Sequence, residues 1–416
     1  MLCYESYKPS GLDWLGDIPS HWGLKKSKFL WREKEDRSLL GTEELLSVSQ
    51  YSGVVPRAED SRSESLEDYK RCKPNDLVIN IMLAWMSGLG VSKYSGIVSP
   101  AYCVYRQLED HNPWYFDYLY RTPLYLAEFA RRSKGIVPSR WRMYTEDFGQ
   151  ILSLLPPREE QDRIVAFLDQ KTDEIDAAIA KKERLIELLQ EQKNIRIHKA
   201  VLRGLNPKVP LRDSGVTWIG AVPAHWKVIP NRFIFREQNA RSLRGEEIHL
   251  SMSQRYGLVP AKELDVQTLQ SESYDGAKLC QKGDLVQNRL KAHLAVFAVA
   301  PCDGLVSPDY SVFRLQKSES QPVYFERLFK TPNYLGEFNR RVRGIVVGFL
   351  RLYSEDFNAI PALVPSCDEQ AEIVRFIETT NKDFEKIRAK IDAEIVMLRE
   401  LKAITVASAV TGKIKV

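Results

Sequence analysis

The sequence predicts a mixed α/β chain in which two similar globular domains are separated by two long antiparallel coiled-coil-like helices, with pseudo-two-fold symmetry. Three observations predict it. The chain is written twice, each copy ends in a proline followed by an acidic-Gln step, and each step opens a long charged stretch with apolar residues at helical spacing. A chain of 416 residues also exceeds one ordinary core, so at least two globules are expected.

The repeat is read directly. SGLDWLGDIPSHW, Ser10 to Trp22, recurs as SGVTWIGAVPAHW, Ser214 to Trp226, at an offset of 204. The frame continues through Phe29 and Phe233, Arg32-Glu33 and Arg236-Glu237, Arg37-Ser38-Leu39 and Arg241-Ser242-Leu243, then Gly53 and Gly257. Farther on the offset grows to 208 and then 209, with Ser99-Pro100 facing Ser307-Pro308, Thr122-Pro123 facing Thr331-Pro332, and Glu146-Asp147-Phe148 facing Glu355-Asp356-Phe357. Four of the five extra residues of the second copy therefore fall opposite the stretch between Pro56 and Ser99, and the fifth opposite that between Pro100 and Thr122.

The junctions Pro156 to Gln161 and Pro365 to Gln370 mark where each globule gives way to a helix. In the second stretch Ile373, Ile377, Thr380, Phe384, Ile387, Ile391, Leu398 and Leu401 form a seam of alternating three-and-four spacing, the coiled-coil signature. In the first, Ile164, Leu168, Ile175, Ala178, Leu185 and Leu189 keep the same register, interrupted by Lys171, Lys182 and Gln192. Two matched seams satisfy each other side by side, and the globule between them calls for antiparallel packing. The expected segments are globule 1–157, helix 158–204, globule 205–365 and helix 366–416.

Composition narrows the function classes. No run approaches the roughly 18 apolar residues of a membrane span, and the opening MLCYESYKPSGLDW lacks a signal-peptide layout, so a cytoplasmic protein without membrane contact is expected. Cys3, Cys72, Cys103, Cys280, Cys302 and Cys367 show no CxxC or Cys/His spacing, which argues against disulfides and structural zinc. An enzyme would need parts that are missing. The sequence has no Asn/Asp-Pro-Pro-Tyr methyltransferase motif, no FxGxG-type loop, no GxxxxGK[ST] and no HExxH. Pro308-Asp309 could open a nuclease signature, but Leu315 stands where the acid before Lys317 would be.

Charge is informative by segment. Lys and Arg balance Asp and Glu in both helical stretches and in 1–157, whereas 205–365 holds 21 against 16. Within each globule the cations concentrate at equivalent places. Arg131, Arg132, Lys134, Arg140 and Arg142 occur with no acid from Phe129 to Thr145, and Arg340, Arg341, Arg343 and Arg351 with none from Phe338 to Ser354. KGIVPSRWRMY and RGIVVGFLRLY interleave these cations with glycine and apolar or aromatic residues, a composition suited to a phosphate backbone. The bland reading, solvated surface arginines, is weakened by the recurrence.

A second pair is SVSQYSGVVP, Ser47 to Pro56, and SMSQRYGLVP, Ser251 to Pro260, whose Ser, Gln, Tyr and Arg side chains can hydrogen-bond base edges. Its competing reading is a strand end and turn marked by Gly53 and Gly257. Asn80 and Trp85, against Asn288, Arg289, Lys291 and His293, lie where the copies diverge, as reading two different sequences would require. The DNA-contacting candidates are Ser47, Ser49, Gln50, Tyr51, Asn80, Trp85, Lys134, Ser139, Arg140 and Arg142, and then Ser251, Ser253, Gln254, Arg255, Tyr256, Asn288, Arg289, Lys291, Arg343 and Arg351. His21 and His225, each between Pro-x and Trp without an acid or cysteine at useful spacing, read as buried structural corner residues and not as metal ligands.

With the doubled IPSHW and VPAHW openings, the LPPREEQDRIVAFLD and VPSCDEQAEIVRFIE junctions and the globule-helix-globule-helix order, the chain resembles the specificity (S) subunits of Type I restriction-modification systems over nearly its full length. The resemblance implies that each globule is a target-recognition domain of mixed α/β fold and that the helices form an antiparallel spacer that docks modification subunits. It implies a non-catalytic, sequence-specific subunit that binds double-stranded DNA at a bipartite target, with two copies of an adenine-methyltransferase modification subunit and with restriction subunits as partners. No cofactor is expected on this chain; S-adenosylmethionine, Mg and ATP would belong to the partners. The competing class is a coiled-coil scaffold whose globules bind proteins, to be separated by the salt dependence of DNA binding.

Overall fold

Local chemistry sets the short elements. Proline stands at the first turn of four helices, Pro113–Tyr120, Pro123–Arg132, Pro322–Phe329 and Pro332–Arg341, where its missing N–H costs nothing. Asn112 caps the first of them by accepting from the Trp114 N–H at 3.0 Å. The strands Leu46–Ser49 and Gly53–Pro56 pair as an antiparallel hairpin with Ser49 opposite Gly53. Their connection ends at Gly53, whose φ of +66° only glycine adopts without strain, and Gly257 at +74° does the same in the second copy.

The computed structural model describes residues 3–57, 66–137, 140–253, 256–263, 274–344 and 350–416. Each globule is built on a four-stranded antiparallel sheet. In the first the order is Trp31–Glu33, Tyr102–Gln107, Leu77–Asn80, Leu89–Val91; in the second it is Phe235–Gln238, Tyr310–Leu315, Leu285–Asn288, Phe297–Val299. One hairpin and three further two-stranded pairs accompany each sheet at equivalent places in the two copies. One face of the sheet meets helices in an aromatic core, with Trp22, Trp31, Phe116, Tyr120 and Phe148 in the first copy and Trp226, Phe235, Phe325, Phe329 and Phe357 in the second. The other face holds a small aliphatic core under the hairpin, with Leu46, Val48, Val54, Val78 and Val104 matching Leu250, Leu258, Val286 and Val312. Each sheet is thus buried on both sides, as its apolar central strands require.

The long helices are Arg158–Arg203, of 46 residues, and Cys367–Val410, of 44. They do not belong to one globule each. The chain gathers into two compact units, Met1–Glu183 with Ile391–Val416, and Arg184–Lys390. In the first unit Ile164, Val165 and Leu168 from one helix and Ala409 and Val410 from the other complete the aromatic core. In the second the same service is given by Ile197, Ala200 and Val201 with Ile373, Val374 and Ile377. Within the first unit the helix segments run antiparallel. Lys402 pairs with Asp176 at 2.7 Å, Arg399 with Glu183 at 3.3 Å and Lys182 with Glu394 at 2.5 Å, one partner number falling as the other rises.

The expected seam holds at Ile373, Ile377, Thr380, Phe384 and Ile391, all buried, and departs from expectation beyond them. Ile387, Leu401 and Leu185 are exposed, while Ile395 and Thr405 are buried. The physical reason is that the mid-helix contact is carried by long polar side chains. Lys182, expected to interrupt the seam, instead reaches Glu394, and Lys193 lies 4.2 Å from the Phe384 ring centroid.

Candidate nucleic-acid interface

Each basic tract folds into a loop closed by backbone. Lys134 and Arg142 exchange N–H···O bonds of 3.0 and 2.9 Å, and Arg343 and Arg351 exchange two of 2.9 Å. Gly135 is required at the neck of the first loop, because a Cβ there would sit 2.6 Å from the Arg140 carbonyl oxygen. Both loops are pinned to the turn that follows a central strand. The Met143 N–H donates to the Ile81 carbonyl at 2.8 Å, and the Leu352 N–H to that of Arg289 at 3.1 Å. In the first unit Trp85, from that turn, meets Trp141 of the loop edge-on at 5.4 Å, so one predicted residue serves as the loop's footing. Trp141 and the exposed Tyr144 belong to the same surface, and both stood in the quoted tract without being singled out.

The cations divide sharply into two kinds. Arg131 and Arg132 both donate to Glu128, and Arg340 and Arg341 both donate to Glu337, two carboxylates that are almost wholly buried. Burial pushes these carboxyls up, but the hydrogen bonds and charges of the flanking arginines outweigh it and hold both below the ordinary glutamate value. These four arginines are committed to the fold. Of the rest, Lys134 pairs with Asp147 at 2.8 Å, Arg343 with Asp356 at 2.5 Å, and Arg351 with Asp309 at 3.6 Å. Arg140 and Arg142 are exposed and, among the described residues, have no acidic partner. Lys291 is exposed, whereas the Arg289 guanidinium is turned to the Asp309 and Pro308 carbonyls at 2.7 and 3.2 Å.

The hairpins present the second group. Ser47 and Ser49 alternate with the buried Leu46 and Val48 and are half-buried, as are Ser251 and Ser253. Ser49 Oγ accepts the Tyr51 and Ser52 N–H groups at 3.1 and 3.3 Å, and Ser253 Oγ accepts that of Tyr256 at 3.3 Å, so both serines also shape the turn. Tyr51 is 83% exposed at the first hairpin tip, Tyr256 is exposed at the second tip in the place of Ser52, and the Gln50 side chain is half-buried. Arg121, which sequence reasoning passed over, braces the first tip by donating to the Gln50 and Tyr51 carbonyls at 3.0 and 2.9 Å. Beside it burial raises the carboxyl of Asp117, which accepts the Val91 N–H at 2.7 Å. Ser139, Gln254 and Arg255 lie outside the described residues.

Two expectations need correction. Asn80 and Asn288, expected to meet DNA, are only 4% and 9% exposed. Asn80 Oδ1 accepts the Met82 N–H at 3.1 Å, and Asn288 Oδ1 accepts those of Leu290 and Lys291 at 3.1 and 3.3 Å. Both are turn caps that position the residues after them. His21 and His225, expected as buried corner residues, are exposed, and each has the acidic partner that its local sequence lacked. His21 Nε2 lies 2.8 Å from Glu160 and His225 Nε2 lies 2.9 Å from Glu369. The neighbouring glutamines complete the joint, Gln161 binding the Asn112 N–H and Gln370 the Gln321 N–H at 2.8 and 2.9 Å. The acidic-Gln step is therefore the fastening of each helix to its globule. No group of three or more His, Cys, Asp or Glu among the described residues is placed to hold a metal, and no described helix is long and apolar enough to cross a membrane.

No protein-family model matches the chain, and no curated protein matches it in sequence. Solved structures do match in fold. A chain from work on the structural basis of complex assembly and conformational transition of the type I R-M system is 13% identical, aligns over 94% of this chain and 98% of its own length, and gives a TM-score of 0.65. The HsdS subunit from Thermoanaerobacter tengcongensis is also 13% identical, aligns over 95% of this chain and 98% of its own, and gives 0.53. The resemblance read from the doubled openings and junctions is therefore matched by the backbone, and over nearly its entire length the chain has the HsdS fold.

Proposed function

We propose that the chain is the non-catalytic, sequence-reading subunit of a Type I restriction-modification assembly, in which each globule is a target-recognition domain gripping one part of a bipartite double-stranded DNA target. The observation that carries this reading is the doubled loop. A β-closed basic loop stands on the turn after the equivalent sheet strand in both units, and each unit also carries a hairpin whose tip exposes a tyrosine. Loop cations supply phosphate contacts, and the hairpin supplies side chains able to reach base edges. The methyl transfer and cleavage belong to partners, namely two copies of an adenine-methyltransferase subunit docked on equivalent surfaces and restriction subunits that use ATP. S-adenosylmethionine, Mg and ATP bind there, and the assembly works in the cytoplasm.

The test separates DNA recognition from a scaffold role. Affinity of the full chain for a duplex pool is measured by fluorescence anisotropy across a salt series. A steep log-log slope is expected, and Arg140→Ala with Arg142→Ala should flatten it by about 2, since each phosphate contact contributes about 0.9. Binding that ignores salt, or a slope unmoved by the double variant, rejects this reading of the loop.

A further inference from the structure

The outgoing side of the first basic loop carries two exposed apolar residues. Ile136 is 99% exposed, the most exposed large hydrophobic side chain among the described residues, and Val137 beside it is also exposed. A single exposed apolar residue is ordinary on a protein surface. This one differs in its mounting. The loop is closed at its base by the Lys134 and Arg142 backbone bonds, narrowed by Gly135, and pinned through Met143 to the sheet. The side chain is held out on a braced arm, with the exposed, acid-free Arg140 and Arg142 on the returning strand and Tyr144 at its foot. In sequence the same Gly-Ile-Val stands in the second tract, at Gly344, Ile345 and Val346.

Apolar tips flanked by cations have a physical use on duplex DNA. Arginines hold the two phosphate strands while the aliphatic side chain enters between base pairs, and the unstacking cost is offset by the apolar contact and by the bend that follows. Charge complementarity names the occupant: the arm's flank is cationic and its tip needs an apolar slot, which a partly opened base step provides. We propose that Ile136, backed by Val137, is a wedge that enters one base step of the bound duplex between the phosphate contacts of Arg140 and Arg142. This rests on the DNA-binding reading above and deepens it, because a wedge favours flexible steps and so contributes to which sequence is chosen.

The test uses the full chain and duplexes selected on it from a random pool, with adenines replaced one at a time by 2-aminopurine, whose fluorescence rises on unstacking. One position should brighten on binding, and Ile136→Ala should abolish the signal while weakening affinity by about tenfold. Ile136→Leu should restore it. Since Ile136 is 99% exposed, loss of structure does not confound these variants. Binding without brightening at any position, or brightening that survives Ile136→Ala, overturns the wedge and leaves DNA binding standing. A variant that instead loses only its preference for thymine over deoxyuridine reassigns Ile136 to a methyl contact and also overturns it. If the wild-type chain selects no duplex, the wedge and the DNA-binding reading fall together.

Discussion

His111 shows how far one side chain can set two related domains apart. Its ring lies 4.8 Å from both Trp31 and Phe116, and among the described residues neither ring nitrogen has a hydrogen-bond partner. Burial, the largest cause, pushes it down to about 4. The unfolded histidine titrates near 6.5, so the folded unit is unaffected above that pH and loses stability as pH falls from about 6.5 toward 4, where only the unfolded chain takes the proton. The equivalent position in the second copy is Ser320, which does not titrate there. Urea unfolding of the full chain at pH 7.5 and 5.0 should show the first unit losing about 2 kcal/mol that His111→Ser does not lose. An equal loss in the variant would assign the acid sensitivity elsewhere. Arg142 differs from its counterpart Arg351 in the same residue-by-residue way, because Arg351 must release Asp309 before meeting a phosphate.

At the level of elements, the fastening of helix to globule is the feature that most governs stability. Tyr115 OH donates to the Val410 carbonyl at 2.9 Å, and Ala409 and Val410 are fully buried in the first unit's core. A chain truncated before Val406 should therefore lose the first unit by roughly 3 kcal/mol or more, while the second unit, which contains none of 391–416, keeps its transition. Scanning calorimetry reads the two transitions, and a second unit melting first would contradict the assignment. Element order, the turn glycines Gly53 and Gly257 and the two long helices were legible because repeats, turn glycines and helical spacing are local signals. The Glu160 and Glu369 partners of the histidines were not, since they lie more than a hundred residues away along the chain. Asn80 and Asn288 misled for a related reason: their partners are backbone N–H groups, which every residue but proline carries. By contrast, the engagement of Arg131 and Arg132 by Glu128 sat in plain view at three-and-four spacing, a signal that separates structural cations from available ones. The seam departs where the Lys182 ammonium meets Glu394 and the Lys193 ammonium lies over the Phe384 ring, a choice that residue type alone does not reveal.

For the molecule as a whole, the proposed reading makes the helices a ruler. Helices of 46 and 44 residues at about 1.5 Å per residue measure roughly 65 to 70 Å, against about 3.4 Å per base pair. Deleting one matched heptad from the middle of both should shorten the unread gap of a selected target by about three base pairs. Sequencing of the selected duplexes checks this, and a gap that stays constant would reject the ruler.

The shared helix ends also impose an order on birth. The second unit is a continuous stretch, Arg184–Lys390, and can close as soon as it leaves the ribosome. The first cannot, because Ile391–Val416 is translated only after the whole of the second unit. At about 5 to 20 residues per second the earlier globule waits on the order of ten to fifty seconds with the apolar slot for Ala409 and Val410 open. The half of the protein made first is thus the half that matures last, with apolar surface open to aggregation in that interval.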